Sequence, residues 1–518
     1  MKKYFAGVDI GTTGVKTIIV DENGEIGSLA YREYPCEYPN PGWVEQDVNL
    51  IWKKVCECTK DAVSKINEDK KFIKSMGLSS QRGTFIPVDE KLQPLMNSIV
   101  WSDARAYKEL LAIKKQIGEV KYKQITGVPL SGLWSYAKIK WLINNKPDIF
   151  DRVFKILNGQ EYFLYKFGSD DLQTDPSSLT LNGMLDIAHL DWSSELCHEI
   201  GLPIDKLPSV NTPCREVGKI STQAAEETGF PEKMSIAVGG GDQQCAAIGS
   251  GIIREGMAEM TIGTAMVMVA HIENLKRDEE RKVLMGGSAI PNKWDMEGTQ
   301  FTAGAALKWW RDTFFNEEAK LANTNKRDIY DIIIEGAESS PTGSRGLLFF
   351  PFFQGQSTPN YEDRARGGLL GLSFIHRKED ISRAVLEGIS FETNMIKRAM
   401  EDVLGKGFDI IRLSGGGSKS SFWNEIQSSI YSCPIEILKV SECTTLGAAI
   451  LGATACNYFD DIEQAVDKMV HVEETISPDN TMENIYTELF EIYVQTFNAL
   501  SKQNIYGNLS DFQDRFVV

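Results

Sequence analysis

Apolar and β-branched residues dominate two short stretches at the start of the chain and predict a hairpin of strands. Residues 4–10 and 15–20 are both strand-like, and the Gly and Thr residues at 11–14 between them form a tight turn. Asn23-Gly24 follows, a dipeptide typical of type I′ hairpin turns. The chain is therefore expected to open with antiparallel strands rather than with a βαβ unit.

The pattern then changes between helix and strand several times. Residues 47–65 have the apolar spacing of a helix, 73–88 return to strands, and 103–200 are mostly amphipathic helices. An apolar strand at 234–238 stops at three glycines immediately before Asp242. This places the Asp242 carboxylate at the end of a strand, where it would be accessible from a cleft.

The opening pattern recurs after that point. Residues 259–262 and 266–270 are strand-like on either side of Gly263-Thr264, and a further turn with three glycines, 415–417, follows a strand at 410–413. We interpret this as an internal duplication of two α/β domains that face one another, each beginning with a hairpin, with a boundary near 245–258.

Composition limits the classes of partner. The 518 residues carry a net charge of −17, which disfavours nucleic acid and anionic membranes but not a nucleotide held in a local glycine-rich site. Neither a signal peptide nor an apolar run of the ~20 residues that a membrane span needs is recognised. Nine scattered cysteines without a Cys-x-x-Cys spacing predict reduced thiols, and hence a cytoplasmic protein.

The first turn has the composition of a phosphate site. Gly and Thr at 11–14 let backbone N–H groups and hydroxyls approach a phosphate, and Asp9 at the end of the preceding strand could hold Mg²⁺. An ordinary glycine turn with a capping Asp is the alternative. The chain has no G-x-x-x-x-G-K-[ST] motif, so this is not a P-loop protein.

Three later features extend that chemistry. Gly263-Thr264 repeats the first phosphate turn, and Gly415-Gly416 precede a helix and offer a flat surface for an adenosine. Asp242 is the candidate general base that takes the proton from an attacking hydroxyl in phosphoryl transfer. The alternative for Asp242 is a cap of the helix that follows it.

Together these motifs resemble the FGGY carbohydrate kinases, which share the actin/hexokinase/Hsp70 ATPase fold. Residues 367–372 with 380–387 match one family signature, and 135–145 match another, with a departure at Leu133. The resemblance runs from about residue 4 to about 455. It implies an α/β protein with two actin-like, ribonuclease-H-like domains facing a central cleft, residues 1–250 and 251–518.

The resemblance also implies roles for individual residues. Asp242 would be the catalytic base, and Asp9 would organise Mg²⁺. The residues expected to bind ATP are Gly11, Thr12, Thr13, Gly263, Thr264, Gly304, Lys308, Gly415, Gly416 and Asn424. Those expected to bind the sugar are Gln81, Arg82, Trp101, Asp103, Asp242 and Gln243.

The motifs expected to bind the acceptor are similar to those of several different groups of FGGY kinases. Gln81-Arg82 is similar to the glycerol kinases, but Gly83 replaces their Glu, whereas residues 101–105 are more similar to the xylulokinases. Asp175-Pro176-Ser177 is similar to the autoinducer-2 kinases. We predict a ketopentose such as D-xylulose, with glycerol, another polyol or autoinducer-2 as alternatives.

Two other classes of function remain open at this point. An actin-like or Hsp70-like ATPase switch would use the same phosphate turns without a sugar, and a sugar sensor would have the fold without catalysis. The expected partners are ATP and a small sugar or polyol, with neither nucleic acid nor membrane. The sequence does not specify the oligomeric state, and a homodimer is one of the alternatives.

Overall fold

Strands and helices alternate along the chain in the computed structural model, which describes residues 2–516 except 171, 277, 279 and 281. The strands are β1 (Tyr4–Ile10), β2 (Gly14–Asp21), β3 (Ile26–Glu33), β4 (Glu45–Gln46), β5 (Ile73–Ser80), β6 (Phe85–Val88), β7 (Ser98–Ile99), β8 (Lys155–Asn158), β9 (Leu185–Asp186), β10 (Asp191–Trp192), β11 (Glu216–Lys219), β12 (Ser235–Gly241), β13 (Met257–Ile262), β14 (Met266–Ile272), β15 (Leu284–Gly287), β16 (Trp294–Gln300), β17 (Leu348–Phe350), β18 (Gly368–Leu370), β19 (Ile410–Gly415), β20 (Ile435–Leu438) and β21 (Val472–Ile476). The helices are α1 (Val48–Ser64), α2 (Tyr107–Ile117), α3 (Glu119–Thr126), α4 (Ser135–Asn145), α5 (Pro147–Phe150), α6 (Gly159–Phe167), α7 (Pro176–Leu179), α8 (Ser194–Ile200), α9 (Thr222–Thr228), α10 (Asp242–Gly249), α11 (Gly304–Phe314), α12 (Asn316–Asn325), α13 (Ile329–Glu338), α14 (Lys378–Leu404), α15 (Ser421–Tyr431), α16 (Cys443–Ala455), α17 (Ile462–Met469), α18 (Asn480–Lys502) and α19 (Ile505–Gln513).

Two large sheets repeat one topology. The first has the strand order β11-β12-β5-β1-β2-β3, and the second has the order β15-β16-β14-β13-β19-β20-β21. In each sheet a hairpin, β1–β2 or β13–β14, is antiparallel, and its first strand pairs in parallel with a later strand, β5 or β19. The duplicated hairpins predicted from the sequence are confirmed, as is the two-domain α/β class.

The turn after β2 differs from the prediction. The hairpin at Asn23-Gly24 forms, but only Gly24 has a positive φ, +77°, and a type I′ turn needs positive φ at both central residues. The carboxylate of Asp21 accepts hydrogen bonds from the backbone N–H groups of Asn23 and Glu25, and these bonds stabilise a longer turn. The type I′ assignment was therefore wrong.

Helix α16 lies in sequence between β20 and β21 of the second sheet, yet it packs on the first sheet and on α10. Glycines allow this close approach. A Cβ built on Gly7 would lie 1.8 Å from the carbonyl oxygen of Thr445, one on Gly249 would lie 1.9 Å from that of Cys443, and one on Gly447 would lie 1.8 Å from that of Cys245. Backbone packed this closely joins α10, which begins at Asp242, to both halves of the chain.

We expect Gly447→Ala to destabilise the protein, because its methyl group would overlap the carbonyl of Cys245 and push α10 and α16 apart. Overpacking of this kind costs about 1–3 kcal/mol. The measurement is the urea midpoint of unfolding. Gly368→Ala is the matched control, since nothing lies within 4 Å of a Cβ built on Gly368. Equal midpoints for the two variants would contradict the close packing described for this helix pair.

The described residues contain no helix that is both long and apolar enough to cross a bilayer. All nine cysteines are free thiols, and five of them are buried.

Candidate active site

The end of β1 and the start of β2 form one wall of a cavity of about 350 Å³. Asp9 lines it, and its Oδ1 accepts a hydrogen bond of 2.8 Å from the Ser79 hydroxyl. Burial and the nearby charge of Asp242 raise the pKa of Asp9 to about 7, against the opposing effects of Ser79 and Lys16. Its Oδ2 has no hydrogen-bond partner among the described residues. A half-buried carboxylate in this state would be stabilised as an anion by a cation.

Lys16 lines the same cavity and was missed by the sequence analysis. It lies directly opposite Asp9 in the β1–β2 register, and its Nζ forms an ion pair with Glu442, just before α16. The tight turn at 11–14 contained the signal, because a hairpin closed there pairs residue 9 with residue 16. A cation at this position can neutralise phosphate charge.

The second hairpin reaches the same cavity from the other sheet. Thr261 precedes Gly263 by two residues, as Asp9 precedes Gly11, and both Thr261 and Asp9 line the cavity. Gly263 and Thr264 are exposed at the turn. Helix α11 begins against them, since the N–H of Gly304 donates to the carbonyl of Gly263 at 3.0 Å. Equivalent positions of the two hairpins therefore lie together.

Gly415 and Gly416 line this cavity as well, and Gly415 has a φ of +79°, which favours glycine. The other eight residues predicted to bind ATP, among them Lys308 and Asn424, do not line it. The Lys308 side chain is 61% exposed and pairs with Asp312. Asn424 is buried, and its Nδ2 donates to the carbonyl of Ser418, so it supports the glycine turn from behind.

Asp242 is the first residue of α10, directly after β12. Its side chain is 31% exposed. Oδ1 accepts hydrogen bonds from Arg82 Nε at 3.1 Å and from the Gln243 N–H at 2.9 Å, and no described residue donates to Oδ2. Burial raises the pKa of Asp242 above its usual range, although Arg82 opposes that rise. Oδ2 is therefore suited to accept a proton. The N-cap of α10 is Gly241 and not Asp242, so the alternative role of Asp242 as a helix cap is not seen.

A second cavity, of about 960 Å³, lies between the two sheets and is lined by Asp242, Gln243, Arg82, Trp101 and Thr12. Its other walls are largely apolar. They include Leu130, Leu133, Trp134, Val267, Leu284 and Phe301. The side-chain Oε1 of Gln243 is buried and has no hydrogen-bond partner in the part of the chain that the structure describes. An apolar cleft with a few convergent polar groups is typical of a small-molecule site.

Two residues predicted to bind the sugar are not on this cavity. Asp103 is fully buried, and its carboxylate accepts hydrogen bonds from the Val44 N–H and from Arg105. Gln81 is buried behind Thr12, whose hydroxyl donates to it at 2.9 Å. The polar groups of both residues are already used inside the protein, and direct sugar contact stays a prediction for both.

The 135–145 signature supports the wall that contains Trp101. Lys138 is buried, and its Nζ donates to the carbonyls of Val100 and Trp101 at 2.8 Å. Trp101, 38% exposed, points its indole N–H to the Thr12 hydroxyl at 2.9 Å. Trp101 therefore lies on the cavity wall and not in the core.

Arg82 is neither a surface ion pair nor a free ligand group. It lines the cavity but is buried, and it donates to Asp242 and, through both terminal nitrogens, to Glu297 on β16. Glu297 was missed by the sequence analysis. A carboxylate inside an apolar strand is rarely buried unless it is paired, and that was the available signal.

Comparison with known proteins decides the family. Models described as the N-terminal and C-terminal domains of the FGGY family of carbohydrate kinases match residues 4–249 and 258–456. The chain belongs to the FGGY family of carbohydrate kinases. It is therefore an ATP-dependent sugar phosphotransferase, which argues against an ATPase switch without a sugar substrate.

Individual FGGY relatives match along nearly the whole chain. A xylulose kinase of Bacillus subtilis is 27% identical over 98% of each chain, and a gluconokinase of the same organism is 28% identical over 99% of each. The solved structure of a xylulose kinase from Lactobacillus acidophilus, 26% identical, covers 98% of this chain and 100% of its own with a TM-score of 0.89.

Proposed function

We propose that this FGGY kinase transfers the γ-phosphate of ATP to a hydroxyl of a ketopentose such as D-xylulose, with Asp242 as the general base. The observation that carries the proposal is the state of the Asp242 carboxylate. One oxygen is held by Arg82 and by the backbone, the other has no hydrogen-bond partner among the described residues, and Asp242 lines the large cavity. The attacking hydroxyl would lose its proton to that second oxygen as it approaches phosphorus.

The donor half of the proposed site is the smaller cavity. Lys16 and the two Gly-Thr turns would bind the phosphates of ATP, and Gly415 and Gly416, which line this cavity together with Lys16, would border the nucleoside. The unpartnered oxygen of Asp9 fits Mg²⁺, which typically takes one or two carboxylates plus phosphates. Bound Mg²⁺ would supply charge neutralisation at the transferring phosphoryl group.

The charge of the acceptor cavity favours a neutral sugar. Each cation that lines it has a carboxylate partner: Arg82 has Glu297 and Asp242, Lys114 has Glu119, and Lys123 has Asp278. A sugar acid such as D-gluconate would need a cation that is free to pair with its carboxylate. The xylulose kinases among the relatives support the ketopentose, and Gly83, where glycerol kinases have Glu, argues against glycerol.

The test is a coupled ADP-release assay with D-xylulose, D-ribulose, D-gluconate, glycerol and autoinducer-2. We expect the highest kcat/KM with a ketopentose. A higher kcat/KM with D-gluconate would contradict the charge argument. If none of the five compounds stimulates ADP release, this class of acceptor is wrong as a whole.

We further propose that the enzyme acts in the cytoplasm with Mg²⁺ and ATP, since free thiols are typical of a reducing compartment.

A further inference from the structure

An ion pair joins the two large sheets at the acceptor cavity. Arg82 lies just after β5 of the first sheet, and Glu297 lies in the middle of β16 of the second, 215 residues away in sequence. Both side chains are 4% exposed. Nη1 of Arg82 donates to Oε1 of Glu297 at 2.5 Å, and Nη2 donates to Oε2 at 2.8 Å.

This two-point contact fixes the plane of the guanidinium. A bidentate arginine–carboxylate pair has a defined geometry, because both parallel N–H groups must meet both oxygens. The remaining N–H, at Nε, then has a fixed direction, and it donates to Asp242 Oδ1 at 3.1 Å. Gln244 on α10 adds a bond of 2.8 Å to Glu297 Oε1, so the carboxylate of Glu297 is held from both sides.

Glu297 also balances the charge of Arg82. Without it, the buried guanidinium would keep Asp242 as its only carboxylate partner, and the two terminal N–H groups would lose their acceptors. A buried cation in that position would attract the second oxygen of Asp242 as well. This second oxygen, Oδ2, is the one that would accept the proton from the sugar hydroxyl.

We propose that Glu297 is a positioning residue for phosphoryl transfer. Acting through Arg82, it holds Oδ1 of Asp242 and leaves Oδ2 directed to the acceptor. The inference rests on the proposed role of Asp242 as the base. Because the partners come from different sheets, the carboxylate of Asp242 is correctly set only when both halves of the molecule are in place.

The experiment compares Glu297→Gln and Glu297→Asp with Glu436→Gln. Glu436, on β20 of the same sheet, pairs with Arg412 and lines none of the described cavities, so Glu436→Gln is a matched control for loss of a strand ion pair. For each variant we would measure kcat, the KM values for ATP and sugar, and the melting temperature.

We expect Glu297→Gln to lower kcat by about 10²-fold with the KM for ATP unchanged, since a misplaced catalytic group has effects of that size. Glu297→Asp, which keeps the charge, should recover part of the loss. The control should keep its kcat even where its melting temperature falls. A wild-type kcat in Glu297→Gln would overturn the inference. The inference would also be overturned if the loss of kcat in both Glu297 variants were fully explained by a smaller fraction of folded protein.

If Glu297→Gln does not fold, Glu297→Asp decides: a lower kcat at unchanged KM for ATP supports the positioning role, and a wild-type kcat overturns it. The role of the base is tested separately by Asp242→Asn. Near-normal turnover in that variant would overturn the proposed role of Asp242 as the base, and with it this inference. A strongly impaired Asp242→Asn beside a fully active Glu297→Gln would overturn only the role of Glu297.

Discussion

Asp242→Asn should lower kcat by about 10²–10⁴-fold, the range over which a positioned general base contributes. The substitution is isosteric, and an amide oxygen at the Oδ1 position can still accept from Arg82 and from the Gln243 N–H. Only the proton acceptor facing the cavity is lost. The measurement is steady-state ADP release with saturating sugar, together with calorimetric binding of ATP, which should be unchanged.

Asp363→Asn provides the comparison. Asp363 is an exposed carboxylate that lines the same cavity, and no described residue donates a hydrogen bond to its side chain. If proton transfer depends on Asp242, the loss of the Asp363 charge should have a much smaller effect on kcat. Near-normal turnover in Asp242→Asn, or a larger loss in Asp363→Asn, would contradict the assignment of the base.

The two hairpins of the proposed donor site were predictable because their signals are local. A glycine turn between two apolar strands gives both the hairpin and its register, so Asp9, Thr12 and the repeat at Gly263 could be located from the sequence. The same register would have revealed Lys16, which is paired with Asp9 across the hairpin. The repeat of this pattern was sufficient to predict the duplicated topology of the two sheets.

The acceptor half depends on contacts that local patterns do not encode. The Arg82–Glu297 pair spans 215 residues and exists because two sheets meet at the cavity. Asp103 shows the opposite case: its sequence context suggested a sugar ligand, but Arg105, two residues later, uses its carboxylate. Packing therefore decides whether a polar residue near a cleft contacts the ligand or only supports the wall of the cleft. A single sequence does not specify that packing.

Asp9→Asn is expected to remove most of the Mg²⁺-dependent activity. The amide keeps the size of the side chain and can accept the bond from Ser79, but it has no negative charge for the cation. Charge stabilisation by a bound metal is worth several kcal/mol, which corresponds to roughly 10²–10³-fold in kcat. The measurement is kcat as a function of Mg²⁺ concentration, and the variant should need much more Mg²⁺ to reach a lower plateau.

Glu442→Gln is the matched control, because Glu442 also lines the nucleotide cavity but is already paired with Lys16. Losing that charge should leave the Mg²⁺ dependence close to that of the wild type, whereas Asp9→Asn should change it. The opposite result, with a normal Mg²⁺ dependence in Asp9→Asn and a weakened one in Glu442→Gln, would assign the cation to Glu442. Lys16 would then lose its carboxylate partner whenever the metal binds, and the first phosphate turn would act without a metal-binding carboxylate of its own.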